Sequence, residues 1–288
     1  MGSPGVELAE ISDGDVTDVA TFLFDAMNDR VAPEAWAELL SPPWSSTGPN
    51  HGFLLRSESR IVGAYAAVYS DRVIGGESVR ICNLAAFCVL DDFRAQSFRL
   101  LRAVLRQPGF EFTDLSPSGN VVALNERLGF VRLDTATRLA INLPTLPQRG
   151  VTVTSEPARL ESVLRSDDAR IYADHRNAAA SRHLLVTFGE GWGYVLFRKD
   201  RRKGLPLFAT PLHVGGDRSL VERAWPTIAS ELLLRHRAPA TLAEHRILGF
   251  DPQPSVPLSA PRPKMFRSTR LHADDIDYLY SELTLLEW

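Results

Sequence analysis

The chain is poor in cysteine and lysine, and it has no long apolar run. Of its 288 residues only Cys82 and Cys88 are cysteines. Six residues apart on one expected strand, they face the same way about 20 Å from each other. That is too far for a disulfide, so they read as reduced thiols and exclude a disulfide-stapled scaffold. Only Lys199, Lys203 and Lys264 are lysines, and arginine carries nearly all the positive charge, which reads as codon usage. The net charge of -3 selects neither nucleic acid nor an anionic membrane surface as a partner. No apolar stretch approaches ~18 residues and no basic-then-apolar leader opens the chain, so the expectation is a cytoplasmic protein without a membrane span. The seven histidines form no His-x3-His or His-x-His pair and lie far in sequence from the cysteines, which argues against zinc. "GEGWG" (189–193) is not a nucleotide fingerprint, and no G-x-S-x-G elbow exists. "FRKDRRKG" (197–204) is a basic hairpin tip without interleaved aromatics, a pattern of solvation rather than RNA binding.

What is present is ample core material. Hydrophobic residues make up 44% and charged residues 23%, the balance of a globular chain with one large or two ordinary domains. Helical spacing predicts helices over 15–30 and 33–40, the second opened by Pro33. Residues 52–70 read as two strands joined by a short polar turn, and 72–80 as a hairpin turning at Gly75-Gly76. "ICNLAAFCVL" (81–90) is a nearly continuous apolar strand. A helix follows over 95–107, with Phe98, Leu101 and Leu105 on one face and a stripe of Arg99, Arg102 and Arg106 beside it. A strand at 110–115, a helix ending at Gly129 and a strand at 137–144 complete the first half. After the Pro-containing segment 144–150 the order helix, meander, helix, strand recurs, which indicates a diverged internal duplication. Two domains are therefore expected, 1–147 and 148–288, each a mixed α/β unit with a mostly antiparallel twisted sheet and flanking helices.

One junction stands out. In "VLDDFRAQSF" (89–98) a strand runs through Arg94, Ala95, Gln96 and Ser97 into a helix. A helix start of this kind can hold a phosphate through its unpaired N–H groups and its partial positive charge. It can equally be plain punctuation with a solvated arginine.

Residues 52–130 resemble the core of the GNAT acetyltransferase superfamily. The family pattern is a strand ending in Val, roughly Pro-x-x-Arg-Gly-x-Gly, a helix, and later an Asn-started helix with a Tyr that closes in Gly-Phe. Val89 matches the strand end, Arg94 the first signature position, and Gly129-Phe130 the closing pair. Ala95 and Ser97 replace the two glycines, and Asp91 replaces the proline. The second half matches only in topology, so a degenerate second copy is expected.

The resemblance implies a donor, acetyl-CoA or another acyl-CoA, and a small-molecule amine as acceptor. Arg94 to Ser97 would cradle the pyrophosphate, with Phe98 also among the cofactor-binding residues. Phe87, Cys88 and Val89 would pair with the pantetheine as an added strand, and Asn120 and Asn125 would line the thiol end. It also places Asn83 where many members carry a carboxylate base, and Asn125 where they carry a Tyr acid. Asparagine does not titrate near neutral pH, so both expected acid–base positions lack a titratable group. Three explanations follow. Asp25, Asp29, Glu34 or Glu77 acts as base, although each reads more simply as a solvated carboxylate. Alternatively the acceptor is already neutral, or the domain is a repurposed, non-catalytic binding or scaffold module.

Overall fold

The computed structural model describes residues 5–202 and 205–287, without the side chains of Asn120, Arg202, Leu205 and Pro206. Two compact units divide the chain. One gathers the described residues up to Leu133 with 263–276 and 280–286; the other gathers 134–262 and 277–279. Part of the basic tip expected at 197–204, including Lys203, lies outside the described residues.

The first unit runs β1 (Val6–Glu10), α1 (Val16–Ala26), α2 (Pro33–Leu40), β2 (Gly52–Ser57), β3 (Arg60–Ile74), β4 (Glu77–Val89), α3 (Ser97–Leu105), β5 (Glu111–Asp114), α4 (Gly119–Arg127) and β6 (Val131–Arg132). The second runs β7 (Thr137–Ile141), β8 (Val151–Thr154), α5 (Pro157–Val163), α6 (Ser166–His175), β9 (Arg182–Phe188), β10 (Gly191–Arg202), β11 (Leu205–Gly216), α7 (Arg218–Arg223), α8 (Trp225–Leu234), β12 (Ala240–Glu244), α9 (His245–Leu248) and β13 (Ser255–Pro257). The chain then returns to the first unit with β14 (Met265–Arg267) and α10 (Glu282–Leu285).

Each unit holds a seven-stranded mixed sheet, ordered β1-β2-β3-β4-β5-β14-β6 and β8-β9-β10-β11-β12-β7-β13. Every neighbouring pair is antiparallel except β4/β5 and β11/β12. The two orders are the same, so the expected fold class and its internal repeat are both present. The repeat extends to a fine detail. An extra residue bulges from β4 at Ala85, opposite Ala66/Ala67, and from β11 at Leu212, opposite Leu196/Phe197. Such bulges bend and twist the strand that carries them.

The sixth position of each sheet departs from the expected arrangement. The strand expected at 137–144 in the first domain is β7, paired with β12 and β13 in the second sheet. The first sheet takes β14 instead, between β5 and β6. Each half of the chain thus lends its last strand to the other. Alternating apolar residues tell a segment to pair but carry no address for its partner, and this is why the boundary at 147 does not match the sheets.

Local chemistry explains most of the rest. Gly75 and Gly76 take φ of +59° and +86° in the β3–β4 turn, a region open to glycine without steric cost. Gly52 has φ +114°, and a Cβ there would lie 2.1 Å from the Tyr65 carbonyl oxygen. Pro226 sits in the first turn of α8, and α7 and α8 break at Ala224. Helix α3 starts at Ser97 and is rotated from the expected face. Leu100, Leu101 and Val104 are buried, whereas Phe98 is 52% exposed. These three join Leu55, Leu84, Phe112 and Met265 in the core of the first unit. The second core centres on Leu184, Phe197, Val221, Trp225 and Ile228. No helix among the described residues is long and apolar enough to cross a membrane.

Candidate functional site

The site is built where β4 and β5 part. The two strands pair in parallel only at Ile81/Glu111, Cys82/Phe112 and Asn83/Thr113. Beyond Asn83, β4 continues to Val89 against β3 alone. Its edge from Leu84 onward therefore makes no ladder with β5, leaving backbone groups on which an extended, amide-bearing ligand could add.

Asn83 and Asn125, the two expected acid–base positions, hydrogen-bond to different partners. Each is held by its own buried carboxylate. Asn83 Nδ2 donates to Glu282 Oε2 at 2.5 Å, and Asn83 Oδ1 accepts from Thr113 Oγ1 at 2.9 Å. Ser116 Oγ donates to Glu282 Oε1 at 2.6 Å. Asn125 Nδ2 donates to Asp114 Oδ2 at 2.8 Å, while its Oδ1 is buried with no hydrogen-bond partner among the described residues. Asn83, Asp114, Asn125 and Glu282 are all at most 5% exposed.

These contacts have clear sources in the chain. Asp114 ends β5, and α4 brings Asn125 over it. Glu282 comes from α10, 199 residues beyond Asn83. Ser281 caps that short helix by accepting from the Leu283 N–H. Burial pushes the Asp114 carboxyl from 3.8 up to about 7. The Asn125 amide and the Ser116 backbone N–H oppose that rise, and the Glu282 charge adds to it. A carboxyl poised near 7 can exchange a proton under ordinary conditions. Burial likewise raises the Tyr65 hydroxyl well above its usual range, aided by Asp114, Cys82 and Glu282.

The four carboxylates proposed from sequence, Asp25, Asp29, Glu34 and Glu77, are exposed and are not part of this cluster. Sequence reasoning missed Asp114 and Glu282. Asp114 had a local signal, an acid ending the strand beside the split; Glu282 had none.

The strand-to-helix junction differs from an open phosphate loop. Residues Asp91–Gln96 form a 3-10 helix that runs directly into α3. The Ser97 N–H bonds the Arg94 carbonyl, and the Phe93 N–H bonds the Leu90 carbonyl. The first turn, where a helix leaves its amides without intrahelical partners, therefore opens at Asp91 and Asp92, whose two carboxylates stand beside it. Arg94 pairs with Asp91 at 2.9 Å, both side chains being largely exposed. Ala95 is exposed, while Gln96 and Ser97 are half-buried. The missing glycines account for this, because Ala95 and Ser97 settle in helical backbone where glycine would permit an open turn.

Of the residues expected along pantetheine, Phe87 is half-buried with its ring 4.6 Å from that of Tyr65. The Cys88 thiol lies 3.5 Å from the Ala26 carbonyl. Val89 pairs with Gly63. The side chain of Asn120 lies outside the described residues. No group of three or more His, Cys, Asp or Glu among the described residues is arranged to hold a metal ion.

In the second unit the matching region is filled by the protein itself. Asp168 Oδ1 lies 2.8 Å from His213 Nε2, and its Oδ2 accepts from the Gly216 N–H at 3.0 Å. A Cβ on Gly215 would lie 2.0 Å from the same carboxylate. Asp217 then caps α7 by accepting from the Leu220 N–H. That helix start is occupied by an internal anion.

No protein-family model and no curated protein matches the sequence. Solved structures do match the fold. A putative acetyltransferase from Pyrococcus horikoshii is 14% identical, with 98% of this chain and 97% of that one covered at a TM-score of 0.54. A GCN5-related N-acetyltransferase from Anabaena variabilis is 13% identical, with 91% and 72% covered at 0.56. A probable N-acyltransferase of unknown function from Enterococcus faecalis is 12% identical, with 93% and 74% covered at 0.58. The chain has the fold of the GCN5-related N-acetyltransferases, in the tandem form of two mixed sheets.

Proposed function

We propose that the protein is an acyl-CoA-dependent N-acyltransferase, with acetyl-CoA the simplest donor and a small-molecule amine the acceptor. The observation that carries this reading is the pair of buried carboxylates standing behind Asn83 and Asn125 at the split between β4 and β5. The fit to the donor is good at the strand. The free edge from Leu84 to Val89 suits pantetheine amides, and the unpaired Asn125 Oδ1 offers an acceptor toward the thiol end. At the junction Arg94 offers a cation to a pyrophosphate, and it would have to leave Asp91. The bound donor would supply the thioester electrophile. Asp114 would receive the proton of the attacking ammonium, its affinity near 7 matching that task. Asn125 would fix the orientation of Asp114, and Glu282 with Ser116 would hold Asn83 beside it.

Calorimetry with acetyl-CoA tests donor binding, which Arg94→Glu should weaken at least about tenfold. A thioester-cleavage assay over a panel of amines then tests turnover, which Asp114→Asn should lower by about 10²–10⁴. Absence of heat at about millimolar donor would remove the reading, since that is the weakest affinity usually counted as binding.

The acidic junction favours a second reading, a non-catalytic module on the same fold. Asp91 and Asp92 stand in the first turn of the junction, and a pyrophosphate would meet like charge there. Turnover with any amine would exclude it.

A further inference from the structure

We propose that the first unit binds a small organic dianion, a phosphate monoester or a dicarboxylate, in a cavity at the opposite end of its sheet from the carboxylate cluster. The cavity measures about 550 Å³ and is lined by Arg80, Phe110, Phe112, Arg267, Ser268 and Arg270 among others. That size suits a small molecule. Topology explains the convergence. β4 and β5 run parallel, so their starts at Glu77 and Glu111 lie at one end of the sheet. β14 runs antiparallel to β5, so Arg267 and the loop after it arrive at that same end.

The arginines are pinned but not spent. Arg80 lies over the Phe110 ring at 4.0 Å, and Arg267 lies over Phe112 at 6.0 Å. Stacking fixes a guanidinium plane and leaves its N–H edge for a ligand. Arg80 Nη2 donates to the Thr47 carbonyl at 3.0 Å, but its buried Nε has no hydrogen-bond partner among the described residues. The Arg80 Nε also forms an ion pair with Asp71 Oδ1 at 4.0 Å, beyond hydrogen-bond reach. Among the described residues the Arg267 side chain makes neither a hydrogen bond nor an ion pair. Glu111, the carboxylate lining the cavity, is already engaged by Arg270 Nε at 3.0 Å and the Thr269 N–H at 3.3 Å. Ser268 Oγ accepts from the Arg270 and Leu271 N–H groups, which leaves its hydroxyl proton to donate. Arg80 and Arg267 both line this space, and two guanidinium groups match an anion with two charges, since each can recognise one planar or tetrahedral oxyanion edge. This inference does not depend on acyl transfer.

The test is calorimetry on the full chain with inorganic phosphate and succinate as probes and acetate as the singly charged control. Saturable binding of phosphate alone identifies a phosphate monoester, and binding of succinate alone a dicarboxylate. Either supports the site if acetate binds at least about tenfold more weakly. Arg267→Gln should weaken the bound probe by at least about tenfold. Ser78→Glu, at an exposed position lining the cavity, should do the same without touching the core. It decides the matter should Arg267→Gln fail to fold. The site is overturned if neither probe saturates, or if Ser78→Glu leaves affinity unchanged in a protein with native circular dichroism.

Discussion

Asp114→Asn separates a working carboxyl from a structural one. The native carboxyl is held at about 7 against an ordinary 3.8, chiefly by burial. Below pH 4 it is protonated in both the folded and unfolded chain and costs nothing. As pH rises from about 4 to 7 the unfolded carboxyl ionises freely while the folded one resists, so stability falls across that window. Above 7 the full penalty stands. About three pKa units at 1.36 kcal/mol each make it roughly 4 kcal/mol, an upper bound because Glu282 shares in the shift. Asparagine has the same shape, keeps an acceptor for Asn125 and cannot ionise. The variant should match the native protein below about pH 4, gain on it steadily as pH rises from 4 to 7, and exceed it by about 2–4 kcal/mol at pH 8. That corresponds to a rise of roughly 5–10 °C in the thermal midpoint for a chain of this size. Its acyl-transfer rate should meanwhile fall by about 10²–10⁴. Thermal melts of both proteins from pH 4.5 to 8.5 measure the first effect and thioester cleavage the second. Parallel pH profiles, or a variant less stable at every pH, would refute the reasoning.

Burial depresses His183 from 6.5 to about 4, so the second unit should lose roughly 3 kcal/mol as pH falls through that range. Hydrogen exchange in β9 and β10, corrected for intrinsic rates, should accelerate between pH 7 and 4, and unchanged protection would contradict this. Gly52→Ala should cost more than about 3 kcal/mol, because the new Cβ would meet the Tyr65 carbonyl at a φ unfavourable to alanine. Urea titration reads that loss, and a midpoint shift near zero would dismiss the steric argument. Fragments 1–147 and 148–288, each lacking the strand it receives from the other, should fail to fold alone and regain structure when mixed. Cooperative melting of either fragment by itself would speak against the exchanged strands.

Much of the fold was legible because its signals are local. Alternation at 52–74, the Gly75-Gly76 turn, Pro33 opening α2 and Gly129 ending α4 each act within a few residues. The internal repeat was readable for the same reason, since it is an order of such elements. The rotated face of α3 shows the limit. Phe98, Leu101 and Leu105 are as periodic as Leu100, Leu101 and Val104, and only the sheet beneath selects between them.

The candidate site divides along the same line. Residue types and spacing along the chain determined that β4 would be apolar, that a helix would follow it, and that Asn83 and Asn125 could not titrate. Tertiary structure alone decided which strand fills the sixth place in each sheet, and that Glu282 would close on Asn83. Pairing and burial over 199 residues leave no periodic trace, because a contact's strength depends on what surrounds it in space. Asp114 makes the point most plainly: the same carboxyl would titrate near 4 in water, and its place beneath α4 moves it to about 7.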